Sequence, residues 1–174
     1  TVGRLSASKR IDMVIDSLLH LRKRTDAALT VAGGGAVADE LRQVVRDRGA
    51  EGFVDMPGIV SEQRMPELYR EHDVYVSASV SEGMSNAMLE AMASGLPIVT
   101  TRCEGTEELI DGNGIVLDDD RPEALANAVL ALADDPDAYR AMADAATKKA
   151  LHFTWDHVAE RYLSIYRNVV RRQR

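Results

Sequence analysis

Short, continuously apolar runs alternate along this chain with longer segments whose apolar residues recur at helical spacing. No other feature restricts the fold as much. Ala28 to Ala32, Asp73 to Ser77, Ile98 to Thr100 and Gly114 to Leu117 are strand-length runs without the apolar–polar alternation of a half-solvated strand. Thr1-Val2-Gly3 and Gly52-Phe53-Val54 read as two further strands. The segments between them carry helical stripes: Ile11, Val14, Ile15, Leu18 and Leu19 in a helix reaching about Arg24, then Leu41, Val44 and Val45 between Val37 and Arg48. Ser61 is placed to cap a helix carrying Met65, Leu68 and Tyr69, and Cys103 to Ile110 reads as a loop and a short helix. Arg121 to Ala133 and Asp137 to about Leu151 continue the pattern, and Thr154 caps a last helix through Val158, Tyr162, Ile165, Tyr166 and Val169. Strands apolar on both faces and separated by helices belong in a parallel sheet covered on both sides. The expectation is an α/β fold: a doubly wound, six-stranded, Rossmann-like parallel sheet in the order 3-2-1-4-5-6. Its ligand would lie at the carboxyl ends of the strands, where the order reverses between strands one and four.

The stretch from Ser81 to Val99 follows the fourth strand and therefore lies at that reversal. Gly83 permits close backbone approach, and Ser85 is a plausible N-cap for the helix that follows. Met88, Ala91, Met92 and Gly95 share the face that packs on the sheet, which leaves Glu90 on the opposite side. Gly95-Leu96-Pro97 stops the helix before the strand at Ile98. A helix N-terminus behind a glycine loop favours an anion. Glu82 and Glu90 do not suit that anion but can each accept hydrogen bonds from a vicinal diol. Phosphate at the amides and hydroxyls at the carboxylates together suggest a sugar nucleotide; two ordinary surface glutamates on a solvated helix are the plainer alternative.

Arg4 and Lys9 sit in the loop after the first strand, where a dinucleotide dehydrogenase would carry Gly-x-Gly-x-x-Gly. Two cations in place of a glycine turn suit direct pairing to a pyrophosphate. Gly33-Gly34-Gly35 after the second strand is either a ligand loop or a tight turn, and Gly58-Ile59-Val60 presents the same choice. His20, His72, His152 and His157 show no metal-ligand spacing, and His72 beside Asp73 at a helix end reads as structural. No Gly-x-Ser-x-Gly elbow is present. With 174 residues the chain can bury one substantial core. A net charge of -7 argues against nucleic acid as the main partner, and no apolar run is long enough to cross a membrane. Cys103 is the one cysteine, so no internal disulfide forms, which fits a cytoplasmic location. The chain starts at Thr1-Val2-Gly3-Arg4, within a strand, and is expected to be a fragment.

Ser81 to Val99 resembles the Glu-x7-Glu region of retaining glycosyltransferases of GT-B fold, the group 1 family that includes bacterial mannosyltransferases and glycogen-synthase-like enzymes. The resemblance extends over nearly the whole chain, with Gly3-Arg4…Lys9 similar to that family's phosphate clamp and Gly33 to Gly35 to its glycine loop. It implies the C-terminal, donor-binding half of a GT-B enzyme. Residues 1–153 would bind a UDP-, GDP- or ADP-sugar, and a helix over 154–174 would pack toward an N-terminal acceptor domain. Arg4, Lys9 and Glu82 would be catalytic, the cations at the diphosphate and Glu82 at the donor sugar. Gly3, Gly34, Gly58, Ile59, Gly83, Met84, Ser85, Asn86 and Glu90 would line the donor site, with Glu90 at the ribose and Gly58-Ile59 at the base. No metal and no cofactor would be needed, and the isolated chain would transfer no sugar. The acceptor would be a glycan, a lipid or a small molecule, and peripheral association of the full-length protein with the inner face of the membrane stays open. Departures from the family pattern bear on sugar specificity: Met84 and Ser85 replace an aromatic and a glycine, and Ala87 a frequent proline. Glu104 and Glu107 replace a glycine and a proline in the segment around Gly105. An epimerase of the same architecture, a nicotinamide dehydrogenase and a non-catalytic nucleotide-binding module are the alternative readings.

Overall fold

The computed structural model describes residues 1–172; the last two residues of the helix expected over 154–174 lie outside the described residues. Five strands alternate with helices. They are β1 (Leu29–Ala32), β2 (Val54–Gly58), β3 (Tyr75–Ser77), β4 (Ile98–Thr101) and β5 (Gly114–Leu117). The helices are α1 (Ile11–Leu21), α2 (Ala38–Asp47), α3 (Met65–Arg70), α4 (Asn86–Ala93), α5 (Thr106–Leu109), α6 (Pro122–Asp134), α7 (Pro136–Ala150) and α8 (Trp155–Arg172). All strand pairings are parallel, as expected for runs buried on both faces.

The single six-stranded sheet is not what forms. β1 pairs with β2, and β3, β4 and β5 make a second sheet in that order. The expected first strand is reduced to one parallel bridge, from Val2 to Ala32. Its main-chain hydrogen bonds face β1: Gly3 donates to Ala32, Ala32 to Thr1, and the Thr1 amine to Thr30, at 2.9–3.0 Å. On the other side the Tyr75 hydroxyl donates to the Val2 carbonyl at 3.2 Å. A side chain rather than a β3 amide meets that carbonyl, and among the described residues no ladder closes across the reversal point.

Side chains of the second sheet alternate faces as the pleat requires. Ile98 and Tyr75 point toward Met88, Ala91 and Met92 of α4, with Tyr69 of α3 and Ala146 of α7. Val99 and Val76 point the other way, toward Met13 and Val14 of α1 and Leu125, Ala128 and Leu132 of α6. The β1–β2 half has its own cluster, in which Val31, Leu41 and Val45 meet Ile11, Ile15 and Leu18. Because α1 contributes to both clusters, it joins the two sheets.

Helix ends show which local signals operate. The Ser85 hydroxyl accepts from the Met88 amide at 3.4 Å, so the expected cap forms. At the other end of α4, Gly95 at φ +82 donates to Met92, and Leu96 donates to Ala91. This paired return closes the helix with Leu96 buried. Ser61 does not cap α3 with its side chain. An extra turn intervenes, the helix starts at Met65, and the Ser61 carbonyl accepts from the Arg64 and Met65 amides instead. Likewise α1 ends at Leu21, short of Arg24, in a turn in which Arg24 and Thr25 donate to the Leu21 carbonyl.

Candidate functional site

The loop after the first strand makes a short 3-10 turn at Ala7–Lys9, and Arg10 follows in the left-handed region at φ 47. The turn sends the Lys9 side chain back over Gly3, where a Cβ would lie 3.7 Å from Lys9 Cε and Nζ. From there Lys9 Nζ forms an ion pair with Glu82 Oε1. Ser79, buried two residues beyond β3, donates its hydroxyl to the same carboxylate oxygen at 2.7 Å. The Val80 amide donates to the Ser8 carbonyl at 3.0 Å and ties the two loops together. Lys9 and Glu82 are about one-fifth and one-seventh exposed (22% and 14%), so the pair is shielded from bulk water but open on one side. Arg4 is exposed, joins no ion pair among the described residues, and lines one small cavity together with Gly3 and Lys9.

The glycines around this point are required by close approach. A Cβ on Gly33 would fall 1.8 Å from the Gly3 carbonyl oxygen, and one on Gly35 2.1 Å from that of Leu5. The triple glycine thus lets the loop after β1 press against the loop carrying Arg4 and Lys9. Gly34 itself lies against the Ile59 side chain, and Gly33 donates to the Gly58 carbonyl at 2.8 Å. Ile59 is 86% exposed. Gly105, at φ +84, lies against the Gly83 carbonyl, only 2.3 Å from where its own Cβ would be. The segment around Gly105 therefore supports the Glu82 loop from below.

Gly83, Met84, Ser85 and Asn86 run from that loop into α4; Met84 and Asn86 are exposed, while Ser85 is buried by its cap. Glu90 lies further along α4 on its exposed face, as the helical wheel predicts. Its Oε2 accepts a 2.9 Å hydrogen bond from the Tyr69 hydroxyl. Glu90 and Tyr69 border an open hollow of about 550 Å³ between α3 and α4, which Val60 and Met65 also line. Each glutamate therefore has one anchored oxygen and one that no protein donor reaches among the described residues.

Two participants have no motif of their own in the sequence. Tyr69 reads only as part of a buried stripe, although a buried tyrosine hydroxyl always needs a partner. Ser79 lies two residues past the strand read at Asp73 to Ser77. The expected structural role of His72 holds, since its ring bridges the Leu68 carbonyl at 2.7 Å and Thr30 Oγ1 at 2.8 Å. Burial, followed by the charge of Glu82, pushes the Cys103 thiol up. It is therefore a poor nucleophile at neutral pH. Among the described residues no group of three or more His, Cys, Asp or Glu is arranged to hold a metal ion. No helix among them is long and apolar enough to cross a membrane.

The sequence model of the family described as "Glycosyl transferases group 1" matches residues 1–135. A GDP-mannose-dependent alpha-(1-6)-phosphatidylinositol dimannoside mannosyltransferase of Mycobacterium tuberculosis is 33% identical over 93% of the chain and 42% of its own length. An alpha-D-kanosaminyltransferase of Streptomyces kanamyceticus is 30% identical over 97% of the chain and 45% of its own length. The chain thus spans less than half of these relatives. Among solved structures, a pneumococcal O-GlcNAc transferase in complex with UDP and GlcNAc superposes with a TM-score of 0.85 at 23% identity, covering 97% of the chain and 35% of that protein. The C-terminal domain of a group 1 family glycosyl transferase from Francisella tularensis superposes with a TM-score of 0.75 at 24% identity, covering 87% and 83%. It shares its architecture with that isolated domain, and with its sequence matched by the family model over residues 1–135 the chain belongs to the glycosyl transferases group 1 family.

Proposed function

We propose that this chain is the donor-binding domain of an enzyme that transfers a sugar from a nucleoside diphosphate to an acceptor with retention of configuration. The observation that carries the reading is the meeting of Lys9 and Glu82, from loops 73 residues apart, at the carboxyl ends of the strands. A lone exposed glutamate pair would have been a surface accident. A lysine held against one member of the pair, near an arginine that joins no ion pair among the described residues and a capped helix start, is a built charge arrangement.

In this reading the diphosphate draws Lys9 Nζ and Arg4 toward its oxygens. When the bond between the anomeric carbon and the phosphate oxygen breaks, the electron pair leaves with the diphosphate, and the two cations stabilise that developing charge. Glu82, with Oε1 still held by Ser79, turns its open oxygen to hydroxyls of the donor sugar. Amides at the start of α4 add donors to the phosphate. Glu90 accepts from the ribose, and the main chain at Gly58 and Ile59 meets the base. Related structures hold UDP and the mannosyltransferase relative uses GDP-mannose, so UDP and GDP sugars are the donors to test first.

Residues 1–153 form the donor-binding unit, and α8 serves as a docking helix for an acceptor-binding domain. Two facts support this division. The relatives are more than twice as long as the chain, and α8 presents Trp155, Tyr162, Ile165, Tyr166 and Val169 to solvent as one largely apolar face. The acceptor, a glycan or a lipid, would be bound mainly by that other domain, in a protein working on the cytoplasmic side.

Calorimetric titration of the chain with UDP, GDP, ADP and their sugars is the test. At least one diphosphate should bind, and Lys9→Ala should weaken it by about tenfold or more, as expected for loss of a charge-assisted contact. Binding that is indifferent to Lys9→Ala and Arg4→Ala would overturn the reading, and sugar transfer by the 174-residue chain alone would refute the division of labour.

A further inference from the structure

Tyr69 stands out because, among the described residues, its hydroxyl is the one hydrogen-bond donor to the Glu90 carboxylate. The ring is 4% exposed and is fixed in the core beside Tyr75, with ring centroids 6.4 Å apart, and near Met88 and Met92. The hydroxyl reaches Glu90 Oε2 at 2.9 Å and the Ala87 carbonyl at 3.2 Å. Glu90 is otherwise an exposed helical glutamate on the rim of the hollow between α3 and α4. Left alone, such a side chain samples several rotamers, and freezing it when a ligand arrives subtracts from affinity.

We propose that Tyr69 is a positioning residue that pre-sets the Glu90 carboxylate for a vicinal diol, and that the diol is the 2′,3′-hydroxyl pair of a nucleoside diphosphate. The inference deepens the reading given above and rests on Glu90 meeting the ribose. A phenol suits the task better than a cation. It has one proton to give, so it fixes Oε2 and leaves Oε1 to the ligand. It also leaves the carboxylate charge uncancelled. A lysine or arginine at the same place would bind both oxygens and compete with the ligand. Burial first, then the Glu90 charge, holds the phenol above its ordinary range. It therefore donates throughout the working pH range. The contrast with the other glutamate supports the assignment: Glu82 faces a cation that a phosphate can take away, whereas nothing in a nucleotide competes for the Tyr69 proton.

The experiment is a cycle between protein and ligand hydroxyls. Wild type, Tyr69→Phe and Glu90→Gln are titrated calorimetrically with UDP or GDP, whichever binds, and with its 2′-deoxy and 3′-deoxy forms. Circular dichroism melts verify folding, which Phe should preserve because the ring stays packed. Wild type should prefer the ribonucleotide. Tyr69→Phe should lose about three- to tenfold in ribonucleotide affinity, the range of one hydrogen bond to a charged group, while deoxynucleotide affinity barely moves. Glu90→Gln should abolish most of the preference. If Glu90→Gln abolishes the preference and Tyr69→Phe leaves it at the wild-type ratio, Tyr69 is only a satisfied core hydroxyl and the proposal falls, with the ribose reading intact. If Glu90→Gln keeps the full preference, the ribose reading fails and takes the proposal with it.

Discussion

Glu82 and Glu90 are eight positions apart on one stretch of chain, yet they are held by opposite means. Glu82 sits on a loop without regular structure. Its place is set by Lys9 from the first loop, by Ser79 two residues past β3, and by Gly105 beneath the neighbouring Gly83 carbonyl. Glu90 is carried by α4, whose backbone fixes where it emerges, and one neutral hydroxyl completes the arrangement. A carboxylate on a loop needs several long-range contacts to be located at all. One on a helix needs only its rotamer chosen. The first is consequently the more vulnerable to change elsewhere in the molecule, and the second can be tuned by a single hydroxyl.

Substitutions that act on one side only would sharpen this contrast. The largest effect should come from Gly105→Ala. At φ +84, with a Cβ 2.3 Å from the Gly83 carbonyl, alanine forces the two loops apart. The combined backbone strain and overpacking cost about 2–4 kcal/mol, a drop of several degrees in calorimetric melting temperature. Selectivity between ribo- and deoxynucleotides should survive, because α4 stands on its own cap. An unchanged melting temperature would show that the Glu82 loop does not depend on this contact.

Ser79→Ala is next. Removing the hydroxyl from Glu82 Oε1 should weaken binding of a nucleotide sugar relative to the bare diphosphate by about three- to tenfold in competition titrations. The Glu90 side should not respond, and a parallel loss of ribose selectivity would mean that the two glutamates are coupled.

The smallest effect concerns Cys103. Its thiol is pushed up by burial and then by Glu82, so Glu82→Gln should lower its pKa and speed iodoacetamide alkylation at neutral pH by less than about tenfold. Glu90→Gln should leave the rate alone. Equal responses to both substitutions would place Glu82 no closer to the thiol than Glu90.

Local features were the legible part. The Ser85 cap, the Gly95 stop, the outward Glu90 and the inward Met88 and Met92 all follow from spacing within one helix, and the structure repeats them. The strand at Gly114–Leu117 also has its expected bounds. Contacts between distant segments were not legible in the same way. Arg4 and Lys9 were legible as two cations in one loop after the first strand, but nothing in that loop announces that Lys9 rests against Glu82. The glycines at 33 and 35 could be read as ligand loop or turn; the close carbonyls of Gly3 and Leu5 give them a packing role. The split of the sheet was not legible either: the two halves meet through contacts such as that from Tyr75 to Val2, which joins residues 73 positions apart.

By itself the sequence determined the period of each element, and hence an α/β fold with Arg4, Lys9 and Glu82 on loops that follow strands, because alternation and capping act between neighbours within a few residues. The tertiary structure alone decided which side chain would answer each carboxylate. Lys9 met Glu82, Tyr69 met Glu90, and the Tyr75 hydroxyl took a backbone carbonyl, because those pairings depend on how packed layers bring remote segments within hydrogen-bond reach.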